Sequence, residues 1–257
     1  MLEQEAGVNV VSVVFSGFAS ALSVLTETEK ELGVILVDIG AGVTNICIFV
    51  DGALSYSSVI PIGARHITND LAIGLRISLE SAEKIKLYLS KKYTKKKTPG
   101  EDKEEDSDEL DLSSLNLNEE LKKVSNKTLV DGIIKPRLNE LFTMIGIELK
   151  KSGFATQTPA GIVITGGGAK SAGVEESAKR MLAMPVRVGN PANISGLIDD
   201  VENPSFATSI GLLAFAKNFR GGSESTGFSG ILKPLSGNLG GGIFAQITKL
   251  FKSFLPK

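Results

Sequence analysis

Short apolar runs broken by glycine set the pattern of this chain. VVSVVF (Val10–Phe15), VILVDIG (Val34–Gly40), GIVIT (Gly161–Thr165) and PVRVG (Pro185–Gly189) are brief and rich in β-branched residues. Runs of this length read as buried strands. TNICIFVDGALSYSSVIPIG reads as a hairpin, because Asp51-Gly52 is a strong turn dipeptide between two strand-like runs. Between the strands the spacing predicts helices. One covers Ser20–Leu32 and ends at Gly33; others cover His66–Leu75, Leu79–Tyr93, Leu129–Ser152 and Phe206–Lys217. Pro136 starts or kinks the fourth of these. A further helix leaves the GGG turn and runs to about Met184. The whole reads as an α/β chain.

Two stretches depart from this pattern. KKYTKKKTPGEDKEEDSDELDLSSLNLNEE is a lysine block followed by an acidic block, and about 95–118 is expected to be a disordered surface insertion. Residues 218–242 are rich in Gly and Ser and read as a flexible linker reaching roughly 25–30 Å. The segment that follows, 243–256, is amphipathic. On a helical wheel Ile243, Phe244, Ile247, Leu250, Phe251, Phe254 and Leu255 share one face. Gln246, Thr248, Lys249, Lys252 and Ser253 fill the other, and Pro256 ends the helix. That is the pattern of a helix lying in a membrane interface, with lysines toward anionic headgroups. The alternative is a helix docked on the protein's own core; the long glycine-rich tether before it argues against that.

Composition bounds the rest. The chain has 257 residues and is 42% hydrophobic, enough for one large or two small domains. A formal net charge of −1 gives no general attraction to nucleic acid. Cys47 is the single cysteine and suits a reducing compartment. The N-terminus has no signal-peptide pattern, and no apolar run reaches the ~18–20 residues of a spanning helix. A cytosolic protein, or one lying on a membrane, is expected. With His66 as the only histidine, zinc and Ser–His–Asp chemistry have little to work with.

Candidate chemistry sits in two glycine turns. The first is VDIGAGVTNI, with Asp38, Gly40, Gly42 and Thr44; the second is VITGGGAK, with Gly166, Gly167 and Gly168. A glycine turn leaving a strand lets backbone N–H groups approach phosphate or sugar oxygens, and Asp38 could hold Mg²⁺ through water. Either turn alone is equally well a tight turn and nothing more. Glu83 and Lys86, at i and i+3 on one helical face, could bracket a ribose or simply form a surface ion pair.

These residues resemble the actin/Hsp70/sugar-kinase superfamily. DIGAGVTNI resembles its second phosphate loop, ITGGGAK its adenosine loop, and AEKIK the helix that meets ribose and adenine. Within it, the chain is similar to the FtsA family of bacterial cell-division proteins. GFASALSVLTETEKELGVILVDIGAG, SVIPIGARHITNDLA, IIKPRLNEL, AGIVITGGGAK, PVRVGNPANISGL and NPSFATSIGLLAFA carry the likeness.

The resemblance implies an actin-like (ribonuclease H-like) lobe with an inserted smaller subdomain. Residues 1–32 would be a remnant of the first lobe and its crossover helix. Residues 33–64 and 153–217 would form one subdomain and 65–152 the smaller one. Asp38, Gly40, Gly42 and Thr44 would face the phosphates and Mg²⁺ of ATP, Gly166–Gly168 the adenosine, and Glu83 and Lys86 the ribose and base. Arg137 would lie in the lobe that receives the acidic, apolar C-terminal peptide of the tubulin-like protein FtsZ. The implied function is a nucleotide-binding adaptor. It would polymerise into actin-like filaments and tether FtsZ to the cytoplasmic face of the membrane at the division site. Two departures bear on this. Ala41, Val43 and Asn45 replace the family's Gly, Thr and Asp, which weakens hydrolysis more than binding, so at most a weak ATPase is expected. The first phosphate loop has no counterpart in the chain. The alternatives are a pilus-assembly actin-like protein, a sugar kinase or chaperone-type ATPase, or a fragment without nucleotide binding.

Overall fold

The computed structural model describes residues 5, 7, 9–96, 108–192 and 202–221. In chain order the strands are β1 (Val34–Ile39), β2 (Thr44–Val50), β3 (Ala53–Ile60), β4 (Glu109–Asp111), β5 (Lys123–Ser125), β6 (Ile162–Thr165) and β7 (Val186–Val188). A five-stranded sheet has the order β3-β2-β1-β6-β7, and β4 and β5 form a separate ribbon. β1, β2 and β3 are antiparallel neighbours, whereas β6 and β7 run parallel to β1. The β2–β3 turn has Asp51 and Gly52 both at positive φ, as a two-residue hairpin turn of the primed type requires.

β1 is buried along its whole length because helices cover both of its faces. Strand alternation sends Ile35, Val37 and Ile39 into a large cluster with Ile67, Leu71, Ile85, Leu138 and Phe142. It sends Val34 and Leu36 into a smaller cluster with Ala21, Val24, Leu25 and Ala207. The large cluster is built by amphipathic α3 (Ala64–Leu75), α4 (Leu79–Lys96) and α6 (Lys135–Ser152). On α6, Leu138, Leu141, Phe142, Ile145 and Leu149 recur at helical spacing, and each large apolar side chain contributes about 1.5–3 kcal/mol by burial. The expected parts 33–64 with 153–217, and 65–152, share this one cluster. The smaller cluster lies under α1 (Ser16–Val24) and α8 (Ala207–Gly221).

Several expectations need correction. Val10–Phe15 is not a strand: residues 9–15 take no regular structure, and Val11 and Val13 are exposed. The expected helix Ser20–Leu32 is two helices, α1 and α2 (Glu27–Leu32). Thr26 interrupts it, capping α2 in a reciprocal box with Glu29. The charged insertion is narrower than 95–118. α4 continues to Lys96, and Glu109–Asp111 pairs with Lys123–Ser125. Leu110 and Leu112 are buried, which anchors the end of the acidic run.

Pro136 sits in the first turn of α6. The helical irregularity precedes it. A short helix α5 (Asn126–Leu129) passes into one π-turn, Val130–Ile134, before α6. The second glycine turn leads into a 3₁₀ turn, Gly167–Lys170, and α7 begins only at Val174, ending at Leu182. α8 extends to Gly221, past the expected start of the linker at 218. The rest of that linker and the membrane-helix residues, from Ile243 to Leu255, lie outside the described residues.

Candidate functional site

The C-terminal ends of β1 and β6 carry the two glycine turns, and a cleft of about 610 Å³ opens beside them. One wall is the turn after β1 with the start of α3, a second is one face of α4, and a third is the turn after β6 with Ser205. Five of the residues singled out from the sequence line it together: Gly40, Glu83, Lys86, Gly167 and Gly168.

The first turn is stitched to α3. Gly40 N–H donates to Val43 O at 2.9 Å, Ala64 N–H to Gly40 O at 2.9 Å and Arg65 N–H to Ala41 O at 2.8 Å. Gly63 can pass only as glycine, since a Cβ there would lie 2.6 Å from the Gly40 and Ala41 carbonyls. His66 completes the junction by accepting the Gly63 N–H at Nδ1, 3.2 Å away. A Cβ on Gly42 would meet nothing within 4 Å, so this part of the loop is open to an approaching group.

The second turn is shaped by β1. Gly166 has φ +84°, and a Cβ there would fall 2.3 Å from Asp38 Oδ1. A Cβ on Gly168 would fall 2.3 Å from Ile39 Cγ2. These two glycines let the turn close on the strand end. Gly167, with nothing nearer than Ser205 Oγ at 3.6 Å, is the one with room toward the cleft.

On α4, Glu83 and Lys86 form an ion pair of 2.7 Å. Thr68 on α3 joins them: it donates to Glu83 Oε2 at 2.5 Å and accepts from Lys86 Nζ at 2.8 Å. Lys86 also reaches the Ala64 carbonyl at 3.3 Å. Burial pushes the Glu83 carboxyl up, but the Lys86 and Thr68 hydrogen bonds, with the charges of Lys86 and Arg65, hold it below its usual range. The i, i+3 pair is therefore a positioned part of the cleft wall.

Asp38 and Thr44 are placed differently. Strand alternation turns Asp38 to the face of β1 that carries Val34 and Leu36, away from the cleft, and it is 4% exposed. Ser20 Oγ donates to Asp38 Oδ2 at 2.9 Å and Thr208 Oγ1 to the same oxygen at 3.3 Å. Burial pushes its carboxyl up, and the Ser20, Thr208 and Asn45 hydrogen bonds oppose that. Thr44 is fully buried and donates to Ile62 O at 2.7 Å. Neither residue lines the cleft. Glu80 and Glu83, the carboxylates that do, are held by Lys84 and Lys86. These residues do not fit a magnesium site as they stand, and among the described residues no group of three or more His, Cys, Asp or Glu could hold a metal.

Arg65, Asn69, Ser90, Lys170 and Ser205 also line the cleft. The sequence reading passed over them. Arg65 had a signal, since it is the second residue of α3, two positions after Gly63 at the close of the hairpin segment.

Arg137 lies elsewhere, at a shallow groove of about 350 Å³ with Ile73, Gly74, Gly132, Ile133 and Pro136. Its guanidinium is bidentate to Asp70, with Nε and Nη2 contacts of 2.6 and 2.8 Å, and also pairs with Glu140. Asp70 and Glu140 line the groove as well, so it is not purely apolar, and the Arg137 charge is already met by these two carboxylates.

Comparison with known proteins adds the following. The sequence matches the family described as Cell division protein FtsA over residues 35–211. It is 39% identical to Cell division protein FtsA of Pseudomonas aeruginosa over 227 residues, covering 88% of this chain and 52% of that protein. It is 35% identical to the Neisseria meningitidis protein of that name, covering 96% and 57%. It thus spans about half the length of the curated relatives it matches. Among solved structures, MreB5 of Spiroplasma citri bound to ADP superposes with a TM-score of 0.63 at 18% identity, covering 86% of this chain and 64% of that one. The ethanolamine utilization protein EutJ of Carboxydothermus hydrogenoformans gives 0.54 at 20% identity, covering 83% and 58%. The fold is actin-like.

Proposed function

The chain belongs to the FtsA family of cell-division proteins, and from that premise we propose that it is a nucleotide-binding adaptor that ties FtsZ to the cytoplasmic face of the membrane. The observation that carries the nucleotide part is the single cleft uniting Gly40, Glu83, Lys86, Gly167 and Gly168. Open backbone at Gly42 and Gly167 suits phosphate and sugar oxygens, and the Glu83–Thr68–Lys86 network offers paired donors and acceptors to a ribose and base. ATP is the expected ligand. MreB5, which shares the fold, is described as bound to ADP. Any magnesium would arrive with the phosphates, since Asp38 is buried and turned from the cleft.

The adaptor part rests on the segment 243–256 and on the Arg137 groove. The amphipathic segment 243–256 would lie in the membrane interface, with Phe244, Phe251 and Phe254 buried and Lys249 and Lys252 toward anionic lipid. One such helix binds reversibly; self-association into actin-like filaments would multiply it. The Arg137 groove would receive the FtsZ C-terminal peptide.

Liposome co-sedimentation tests this reading. Anionic vesicles, purified FtsZ and Mg-ATP are spun with the full chain or with a chain ending at Gly242. FtsZ pelleting with lipid only beside the full chain is the expected result. FtsZ staying in the supernatant in both cases would overturn the adaptor role.

A further inference from the structure

We propose that Arg65 is a phosphate-binding residue of the cleft, acting with Lys170 on a second wall as a two-cation clamp for a polyphosphate. The inference rests on the nucleotide reading of the cleft and adds to it the groups that read phosphate number.

Charge accounting carries it. Five charged side chains line the cleft: Arg65, Glu80, Glu83, Lys86 and Lys170. Glu83 is matched by Lys86 at 2.7 Å, and Glu80 by Lys84 at 3.0 Å, a lysine outside the lining. Both acids are thereby neutralised. Arg65 and Lys170 form no ion pair among the described residues, although Lys170 also borders a neighbouring cavity with Glu175, Glu176 and Glu202, so they are the two cations of the lining that no carboxylate holds directly. A ligand that matches them carries at least two negative charges.

Position assigns the roles. Arg65 is fixed beside the first glycine turn by its own backbone, N–H to Ala41 O at 2.8 Å, and its side chain is exposed to the cleft. Gly40 and Ala41 of that turn line the cleft beside it. Its charge is felt at Glu83 across the cleft, where it favours the ionised carboxylate. Arg65 lines the same cleft as the Glu83–Lys86 pair and the Gly40 turn, so its guanidinium is available to a phosphate tail leaving a ribose there. A planar fork of donors suits phosphate oxygens there. Lys170 closes the 3₁₀ turn after Gly167 and Gly168 and faces the same space as a point charge. The extra charge matters because a polyphosphate gains most from cations that no carboxylate has already satisfied.

The test is calorimetric titration of the full chain, wild type, Arg65→Ala and Arg65→Lys, with ATP, ADP, AMP, adenosine and inorganic tripolyphosphate. Wild-type affinity is expected to rise with phosphate number. Arg65→Ala should weaken ATP and tripolyphosphate about 10-fold while leaving adenosine unchanged, and Arg65→Lys should fall between. Circular dichroism melts of the three proteins exclude a folding defect, since Arg65 is exposed. If Arg65→Ala binds ATP as wild type does, the clamp is overturned and the nucleotide reading stands. If ATP and adenosine bind wild type equally, the clamp is overturned likewise. Tripolyphosphate binding with no adenosine binding would keep the clamp and overturn the adenosine-nucleotide reading. No binding of any probe would overturn both.

Discussion

Ser20 and Asp38 meet at 2.9 Å beneath the two glycine turns, where a helix contributes a hydroxyl to the one carboxylate of the β1 strand. Thr208 of α8 joins the same carboxylate oxygen and lies 2.8 Å from the Ser20 hydroxyl. Ser23 adds a bond to the Ala207 carbonyl at 2.7 Å. Two helices separated by most of the chain are thus fastened to β1 by polar groups on an otherwise apolar face. The fit is close: a Cβ on Gly211 would lie 1.7 Å from the Ala19 carbonyl.

Removing the carboxylate should therefore loosen the joint as well as the site. Asp38→Ala leaves the buried Ser20 hydroxyl and the half-buried Thr208 hydroxyl without their shared acceptor and is expected to cost about 2–3 kcal/mol. Both hydroxyls donate to the same oxygen, so Asp38→Asn keeps an acceptor at that position and should cost less. Urea denaturation at pH 7 measures both. Equal stability of Asp38→Ala and wild type would show that the hydroxyls repair their bonds elsewhere.

The glycines of the two turns are not equivalent. Gly166→Ala forces a side chain into positive φ and against Asp38, and about 3 kcal/mol of destabilisation is expected. Gly42→Ala meets open space at an ordinary φ and should change stability by less than about 0.5 kcal/mol. The same Gly42→Ala substitution should weaken ATP if the loop approaches phosphate. Thermal melts and nucleotide titration of the two variants separate the structural glycine from the binding one.

Much of this was legible in advance. Asp51-Gly52 between two β-branched runs specified the hairpin, and the 3.6-residue spacing of Ile67, Leu71, Ile85 and Leu89 specified two helices. The Thr26–Glu29 capping box was also legible, yet helical composition on both sides hid the break. Val10–Phe15 misled because β-branched composition alone does not make a strand, and residues 9–15 take no regular structure. Leu110 and Leu112 misled the other way. Their burial depends on pairing with Lys123–Ser125, a contact that local composition does not reveal. The site divided similarly. Glu83 and Lys86 were found from i, i+3 spacing, but the turning of Asp38 toward Thr208 depends on a helix 170 positions away.

At the Arg137 groove the sign of the expected effects is set by its acidic neighbours. Asp70 and Glu140 already satisfy the guanidinium, so an acidic peptide must compete with them. Asp70→Asn removes one competitor and should strengthen binding of an acidic FtsZ C-terminal peptide, about 3- to 10-fold. Arg137→Ala should weaken it by a similar factor. Fluorescence anisotropy with a labelled peptide reads both. If Asp70→Asn weakens binding, Asp70 positions Arg137 and does not compete with the ligand.

Glu148 supplies a pH dependence whose direction can be worked out. The side chain on α6 accepts from Tyr56 at 3.0 Å and Ser58 at 2.9 Å on the edge strand β3, and pairs with Lys151 at 2.7 Å. Hydrogen bonds from Lys151, Ser58 and Tyr56 hold its carboxyl down at about 2, against an ordinary 4.5. A carboxyl depressed in the folded state binds a proton more readily once the chain unfolds. Its contribution to stability is therefore complete above about pH 4.5 and is lost as the pH falls toward 2. Glu148→Gln cannot ionise, so its stability should fall less steeply than wild type across that window. At pH 7 the variant should be the less stable of the two, and the gap should close on acidification. Urea midpoints at pH 7, 4.5 and 3 measure the slope. Parallel lines for the two proteins would mean that the Tyr56 and Ser58 bonds persist whether or not the carboxyl is charged, and the edge strand would then be held by packing alone.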